Sequence, residues 1–198
     1  MALLILGHPN YKHSLANKNI VEQLQTSGLA IEVRNVNQLY PDYHIDAVAE
    51  QRALLRHQTI IFQYPFYWYN MPAVLKHWFD VVFTPGFAYG QGGDHLKGKN
   101  FMASFTIGGP PESYTPLGKN HFRIYEYCRN LEQTAYYAQM NYIEPLYMYG
   151  TSLHTGYTAE EITSQAKKHA QTLIKRLTEL AWKESQPSIF SESLPVGD

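Results

Sequence analysis

The stretch TIIFQYPFYWYNMPAVLKHWF, residues 59–79, carries an apolar run, a cluster of aromatic residues and a helical pattern in direct succession. Residues 59–63 are short and mostly apolar, which is typical of a strand buried on both faces of a parallel sheet. Pro72 suits the first turn of a helix, and the pattern predicts that helix from Pro72 to about Phe83. The stretch therefore predicts a strand followed at once by a helix, the repeating unit of α/β proteins.

The same alternation continues on both sides of this stretch. The other predicted strands cover residues 2–6, 30–36, 99–109 and 142–149, and the other predicted helices cover 14–26, 46–57, 121–140 and 158–183. This alternation predicts an α/β fold with a doubly wound, five-stranded parallel sheet in three layers, α/β/α. We expect one domain over residues 1–183, a long glycine-rich loop over 84–99 and a Ser/Pro-rich C-terminal tail over 184–198.

Several single residues predict local features of these elements. Ser14 and Thr158 are expected to cap the first and last helices, because a hydroxyl just before a helix can accept a free backbone N–H. Pro145 predicts a bulge in the fifth strand, since proline cannot donate to a sheet. Cys128 falls on the apolar stripe of its helix and is predicted to be a buried packing residue.

Composition excludes several classes of function. The chain has 198 residues and a formal net charge of −1, which argues against nucleic acid or an anionic membrane surface as the main partner. Its nine histidines show neither HxxxH nor HExxH spacing, so no metal site is expected. The single Cys128 excludes an intramolecular disulfide and suits a reducing compartment. The apolar N-terminal run is too short for a signal or spanning segment, so we expect a cytoplasmic protein.

The candidate site lies in the loops that follow the first, third and fourth strands, residues 7–17, 64–71 and 106–120. In doubly wound sheets, ligands bind beyond the carboxyl ends of the strands, where the winding reverses. The first loop, GHPNYKHSLAN, leads into a helix start whose free N–H groups and Ser14 hydroxyl can hold a phosphate. An ordinary helix cap with a surface loop explains the same residues, and both interpretations stay open.

The second loop is unusually aromatic. Its ring residues are Tyr64, Phe66, Tyr67, Trp68 and Tyr69. An extended chain alternates its faces, so these rings cannot all point inward. Some of them must line a cleft or an interface, and a planar aromatic cofactor stacked there is one explanation. Packing of the remaining rings in the core is the other, and the local sequence does not decide between them.

The third loop begins TIGGPPESY at Thr106. It supplies backbone N–H groups at Ile107, Gly108 and Gly109, and its two glycines allow a flat ligand to approach the backbone closely. A Gly-Gly pair is also common in plain turns. Taken together, a phosphate cradle, an aromatic surface and a Gly-Gly edge around one sheet fit flavin mononucleotide (FMN).

The segment PFYWYNMPAVLKHWFDVVFTPGFAYG, residues 65–90, resembles a motif of the NAD(P)H:quinone oxidoreductases, a family of flavodoxin-like flavoproteins. In that motif Pro-x-x-Trp is followed by Pro-x-x-Leu-Lys-x-Trp and then by Gly-Phe-Ala-Tyr. GHPN with SLAN, and TIGG with a following Tyr, fall at the matching places. The short chain and its QLYPDYHID segment are most similar to the ancillary flavoproteins of glutathione-gated potassium efflux systems and to general stress proteins.

The resemblance implies a flavodoxin-like fold and a set of residues around FMN, with FAD as the alternative cofactor. The phosphate and ribityl end would be held by His8, Ser14, Leu15, Ala16 and Asn17. The isoalloxazine ring would lie against Pro65, Phe66, Tyr67, Trp68 and Tyr69. Its pyrimidine edge would be hydrogen-bonded by Thr106, Ile107, Gly108 and Gly109. Tyr114 and His121 would be catalytic and would settle charge on the reduced flavin.

The resemblance also implies an activity and partners. NAD(P)H would deliver a hydride to the flavin, and a quinone-like acceptor would take it from the same face, while the N–H groups of residues 107–109 stabilise negative charge. The family is typically dimeric, so we expect a homodimer with the 84–99 loop at its interface. The alternative function is a regulatory flavoprotein subunit that docks on a potassium efflux antiporter and activates it. That partner would hold the protein at the inner face of a membrane.

Overall fold

The computed structural model describes residues 1–185 and contains a five-stranded sheet. The strands are β1 (Ala2–Leu6), β2 (Ile31–Asn35), β3 (Thr59–Pro65), β4 (Asn100–Thr106) and β5 (Asn141–Met148). Every neighbouring pair is parallel, and the order across the sheet is β2-β1-β3-β4-β5. The predicted five-stranded parallel sheet is confirmed.

Helices connect the strands and cover the sheet. In the described part of the chain they are α1 (Leu15–Gln25), α2 (Val36–Leu39), α3 (Ala47–Arg56), α4 (Ala73–Val82), α5 (Ile124–Tyr127), α6 (Arg129–Tyr137) and α7 (Ala159–Ser185). Both predicted caps are present: Ser14 Oγ accepts from Asn17 N at 3.0 Å, and Thr158 Oγ1 accepts from Glu161 N at 3.2 Å. Within residues 1–185, no helix combines the length and the apolar character that crossing a membrane would require.

The central strand β3 shows how the layers form. Its successive side chains point to opposite faces of the sheet. Phe62 packs under α4, where its ring centroid lies 4.6 Å from that of Phe79. Ile61 packs on the other face with residues of α1 and α7 such as Ile20 and Leu173. Helices therefore bury both faces of the sheet, and the predicted three-layer α/β/α arrangement is confirmed.

The structure corrects several predicted boundaries. The helix predicted over 121–140 consists of α5 and α6, which are separated at the buried Cys128. The strand predicted over 99–109 ends at Thr106, and α7 runs two residues beyond the predicted domain end at 183. The bulge predicted at Pro145 is confirmed, because the register between β4 and β5 shifts beside it. From residue 186 onward, the predicted C-terminal tail lies outside the described residues.

A buried carboxylate connects the elements on the α4 face of the sheet. Glu50 of α3 is completely buried. It accepts hydrogen bonds from Arg34 Nε at 2.9 Å, from Tyr40 OH at 2.6 Å and from Trp78 Nε1 at 3.0 Å. These donors come from β2, from the residue after α2 and from α4. A buried charge is tolerated when it is paired and hydrogen-bonded in this way.

We predict that Glu50→Gln lowers the free energy of unfolding by about 3 kcal/mol, because the largely buried Arg34 guanidinium loses its closer counter-charge and keeps only Glu32, at 3.4 Å. Urea unfolding followed by tryptophan fluorescence measures this change. Glu22→Gln is the matched control, since it removes an exposed partner of Lys18 on α1 and should cost less than about 0.5 kcal/mol. Equal losses in the two variants would contradict the assignment.

Candidate functional site

A cleft of about 520 Å³ opens at the carboxyl edge of the sheet. The chain leaves β1 towards β2 on one side and later returns to place β3 on the other side, so the cleft lies at the switch point where such folds bind ligands. The predicted site residues that line it are His8, Ser14, Leu15, Ala16, Asn17, Pro65, Phe66, Tyr67, Thr106 and Gly108. Three segments that are far apart in sequence thus meet at one cavity.

One end of the cleft is formed by the start of α1. Ser14 is the N-cap, and its side chain accepts from Asn17 N. The backbone N–H groups of Leu15 and Ala16, in the first turn, have no intrahelical partner, and the positive end of the helix dipole lies at the same place. These residues line the cleft. Such an arrangement favours an anion, and a phosphate fits it without special features.

His8 supplies a neutral donor beside this helix start. Its side chain is buried, and Nδ1 accepts from Asn10 N at 3.1 Å. The ring proton of the neutral imidazole therefore resides on Nε2. Burial lowers the pKa of His8 to about 4, and a hydrogen bond to its own backbone opposes that shift. At neutral pH the ring is an uncharged N–H donor among the residues that line the cleft.

The aromatic turn, residues 67–70, borders the cleft. Tyr67 N donates to Asn70 O at 2.9 Å, and Asn70 N donates to Tyr67 O at 3.0 Å. Trp68 and Tyr69 between them have φ values of 48° and 64°. Two consecutive left-handed residues are the geometry of a type I′ turn, which normally takes Asn or Gly. Strain held at such a turn is an indication of function.

The ring residues divide between the core and the surface, so packing in the core is confirmed for Tyr64, and the stacking of a cofactor on the remaining rings stays a prediction. Tyr64 is buried and stacks on Phe105 at 5.3 Å, and Phe66 also stacks on Phe105 at 5.3 Å. Trp68 is 92% exposed and Tyr69 is 43% exposed. Neither of them lines the cleft, and within residues 1–185 neither backbone N–H has a hydrogen-bond acceptor.

The Gly-Gly segment contributes fewer donors than predicted. Ile107 is completely buried, and its N–H donates to Met148 O at 2.8 Å. The expected hydrogen bond from Ile107 to a ligand is corrected accordingly, because that donor is already used. The N–H groups of Gly108 and Gly109 have no acceptor among the described residues. A Cβ at Gly108 would come no closer than 3.4 Å to another atom, that of Ser152 Cβ, so the fold itself does not require glycine there.

Sequence reasoning missed the segment that follows β5. The residues of this segment that line the cleft are Thr151, Ser152, Leu153 and His154. The segment is fastened to the Gly-Gly loop, because Thr151 N donates to Ile107 O at 3.0 Å and Thr155 Oγ1 donates to Gly108 O at 2.8 Å. The signal that could have found it is topological, since β5 ends at the same edge of the parallel sheet as β1, β3 and β4.

The two predicted catalytic residues lie outside the set that lines the cleft. The Tyr114 ring packs beside Gly109, 3.5 Å from the position of a Cβ there. Burial, and next the neighbouring Tyr69, raise the pKa of Tyr114. His121 is exposed, with a φ of 61°. It follows Asn120, whose Oδ1 accepts from Tyr69 OH at 3.2 Å, so its loop is attached to the aromatic turn.

The available donors match a ligand with a phosphate and a polar, flat ring. They are the first N–H groups of α1, the neutral imidazole of His8 and the free N–H group of Gly108, with the free N–H of Gly109 next to it but outside the cleft lining. Residues 1–185 contain no comparable set of metal ligands, because no group of three or more His, Cys, Asp or Glu side chains is arranged to hold a metal ion there.

A family model described as having a flavodoxin-like fold matches residues 1–174. The chain belongs to this flavodoxin-like family. The glutathione-regulated potassium-efflux system ancillary protein KefF of Citrobacter koseri is 39% identical over 191 residues, which cover 93% of this chain and 98% of KefF. General stress protein 14 of Treponema denticola, solved in complex with FMN, is 30% identical with a TM-score of 0.80, covering 89% of this chain and 98% of that one.

This chain is also similar to a protein of known structure from Klebsiella pneumoniae that is provisionally assigned as a quinone reductase. It is 27% identical, with a TM-score of 0.69, over 91% of this chain and 85% of that one. These matches extend over nearly the whole flavodoxin-like chain. The resemblance to the flavodoxin-like quinone reductases, which rests on the motif around Trp68, is confirmed.

For the ligand-free flavodoxin-like protein we predict that His8 stays neutral down to about pH 4, which an NMR titration of its ring protons measures. The folded pKa lies below the ordinary value of 6.5, so the unfolded chain binds protons first and stability falls as the pH drops from 6.5 towards 4. His8→Gln should remove about 1 kcal/mol of that fall between pH 6.5 and 5. An unchanged pH dependence in the variant would contradict the burial argument.

Proposed function

We propose that the protein is an FMN-dependent NAD(P)H oxidoreductase that passes a hydride to a quinone-like acceptor. The observation that carries this proposal is the convergence, in one cleft, of a helix start with the free N–H groups and aromatic turn that a flavin requires. Two relatives support it: general stress protein 14 was solved with FMN, and the Klebsiella pneumoniae protein is provisionally assigned as a quinone reductase.

The residues present fit the cofactor at both of its ends. Ser14, Leu15, Ala16 and Asn17 would hold the phosphate through the free N–H groups of α1, with His8 as an additional neutral donor. Phe66 and Tyr67 would border the ring, and the N–H groups of Gly108 and Gly109 would bind its polar edge. Tyr114 remains the tyrosine proposed to stabilise negative charge at that edge. His121 is proposed for the same role, and the support for it is that its loop is attached to Tyr69.

Bound FMN would supply the hydride chemistry, since no amino-acid side chain accepts and releases hydride reversibly. The chain contributes binding and electrostatics. Fixed N–H groups aimed at the polar edge stabilise the negative charge that accompanies reduction, an effect worth a few kcal/mol in a cleft that excludes water. We take FMN as the cofactor because FMN is the flavin named in the complex of general stress protein 14, and FAD is the alternative that cofactor analysis tests.

A regulatory role is the second candidate, and the 39% identity to KefF over 98% of its length favours it. In that role the flavoprotein docks on a potassium efflux antiporter as a cytoplasmic homodimer and is thereby held at the inner face of the membrane. The two roles are compatible, because a bound flavin can serve both. Co-purification of the protein with such an antiporter from membranes distinguishes docking from a purely enzymatic role. Membranes from which detergent has extracted the antiporter alone should no longer retain the protein.

The decisive measurement for the enzyme is made on the purified holoprotein. We predict a yellow protein that releases FMN, identified by mass, on denaturation, and whose flavin absorbance bleaches when NADPH or NADH is mixed with it anaerobically. Addition of a quinone should restore the absorbance. A colourless protein that also refuses added FMN would refute the proposal, and FAD in place of FMN would change only the cofactor.

Gly108→Ala separates ligand binding from folding. The added methyl group meets only Ser152 Cβ at 3.4 Å, so we predict a melting temperature of the apoprotein close to that of the wild type. Because Gly108 lines the cleft, the same methyl group should weaken FMN binding by about tenfold, or about 1.4 kcal/mol. Fluorescence titration of the apoprotein with FMN measures this change. Unaltered FMN affinity would remove Gly108 from the binding site.

A further inference from the structure

A chain of buried amides lies directly beneath the cleft. Gln63 in β3 is completely buried, and its Nε2 donates to Asn17 Oδ1 at 2.8 Å. Asn17 Nδ2 in turn donates to Thr106 Oγ1 at 2.9 Å and to Ser14 Oγ at 3.3 Å. The central strand, the first helix and the end of β4 are therefore joined by one run of hydrogen bonds. Its last two members, Thr106 and Ser14, line the cleft.

The direction of this run determines what the two hydroxyl groups offer to a ligand. Both hydroxyl oxygens accept from Asn17, so each hydroxyl keeps its own proton free to donate. Within residues 1–185 neither the Thr106 nor the Ser14 hydroxyl proton has an acceptor. Thr106 is only 3% exposed. A buried donor without an acceptor costs about 1–3 kcal/mol, and a ligand in the cleft can remove that cost.

We propose that Gln63 is a positioning residue for the ligand of this cleft: acting through Asn17, it holds the hydroxyls of Thr106 and Ser14 as hydrogen-bond donors to bound FMN. The inference rests on the proposed function for the identity of the ligand. Gln63 itself does not line the cleft. Its Nε2 fixes which end of the Asn17 amide is the oxygen, because a reversed amide would present Oδ1 to both hydroxyls. Each hydroxyl would then donate back to Asn17 and not into the cleft.

The surroundings of Gln63 show that its amide serves more than packing. Its Oε1 is buried without a hydrogen-bond partner, a cost that an apolar residue would avoid, as Ile61 does on the same face. Ser104 lies opposite Gln63 in the sheet and places its Oγ 2.8 Å from Nε2 of the buried His169 of α7. Burial, and next the charge of Arg176, lower the pKa of His169 to about 4.

The groups that face Gln63 are therefore uncharged above about pH 5. His8 follows β1, Asn17 lies on α1, Ser104 lies on β4 and His169 lies on α7, and both histidines have a pKa of about 4. None of these four neighbours carries a charge there, so the hydrogen bond from Gln63 selects the direction of the Asn17 amide. A substitution that turns the Gln63 donor into an acceptor should reverse the whole run.

Gln63→Glu makes that change in a way that pH controls. An ionised carboxylate only accepts, so it would draw Asn17 Nδ2 towards itself, whereas a protonated carboxyl can donate to Asn17 Oδ1 as the glutamine does. We expect the dissociation constant of FMN, relative to the wild type at the same pH, to rise by about tenfold at pH 9 and to return to within about twofold at pH 6. Quenching of FMN fluorescence by the apoprotein measures both constants.

Two further variants distinguish positioning from a structural effect. Thr106→Val removes the main hydroxyl, so the effect of Gln63→Glu at pH 9 should shrink to about threefold or less in that background. Gln51→Glu is the matched control, because its Nε2 donates to Val82 O at 2.9 Å and to Thr84 Oγ1 at 3.0 Å on the opposite face of the sheet. Its relative FMN affinity should not change with pH.

The outcomes separate this inference from the proposed function. A wild-type protein that binds no FMN overturns both. A wild type that binds FMN, with a Gln63→Glu effect that is independent of pH or unchanged by Thr106→Val, overturns the positioning role alone. If circular dichroism shows that Gln63→Glu does not fold, Asn17→Asp takes its place. Its carboxylate is ionised in the first turn of α1 at both pH values and faces both hydroxyls with an acceptor. It must therefore weaken FMN binding at pH 6 as well as at pH 9, and Thr106→Val must reduce that loss.

Discussion

Parallel strands that end at one edge of a sheet leave backbone donors there that the sheet cannot pair. In this protein β1, β3, β4 and β5 all end beside the same cleft. There the first turn of α1 and Gly108 present N–H groups without an acceptor in the described chain, and the free N–H groups of Trp68, Tyr69 and Gly109 lie in the adjoining loops. Buried backbone donors are almost always satisfied in native proteins. The edge is therefore complementary to a ligand that is rich in acceptors, which a phosphorylated flavin is.

This edge could be predicted from the sequence because the elements that form it depend on residues that are close together in the chain. Apolar runs predicted most of the strands, apolar/polar alternation predicted the strand over residues 30–36, and the succession of strands and helices predicted that the strand ends would align. Ser14 was recognisable as a cap because capping depends on neighbours only three residues away. Boundaries were less predictable. The separation of α5 from α6 at Cys128, for example, follows from how both helices pack and not from the periodicity of the segment, which continues across the break.

Features that depend on distant partners could not be predicted. Ile107 and Met148 are brought together only by the pairing of β4 with β5. The sequence therefore could not show that the Ile107 N–H donates to Met148 O. Gln63 in an otherwise apolar strand gives no sign that its partner is Asn17, 46 residues earlier. The left-handed conformation of Trp68 and Tyr69 runs against the ordinary preference of bulky residues. Backbone preferences of single residues cannot predict a turn whose conformation is fixed by its surroundings.

The burial of the side chains beneath the cleft also explains why the amides of Gln63 and Asn17 are found there and not charged groups. An ionised side chain at the position of Gln63 would be costly to bury without a partner, whereas an amide leaves one unpaired oxygen, a cost of about 1–3 kcal/mol. The neutral His8 and the two hydroxyls follow the same principle, because each has a proton that it can donate to a ligand and none carries a charge at neutral pH. A cleft made of fixed dipoles keeps its donors as the pH varies above 5, and it needs no counter-ion when it is empty. A bound group that becomes more negative on reduction would then gain from every donor at once, so the direction of the hydrogen bonds, more than the number of contacts, determines how well the cleft holds it.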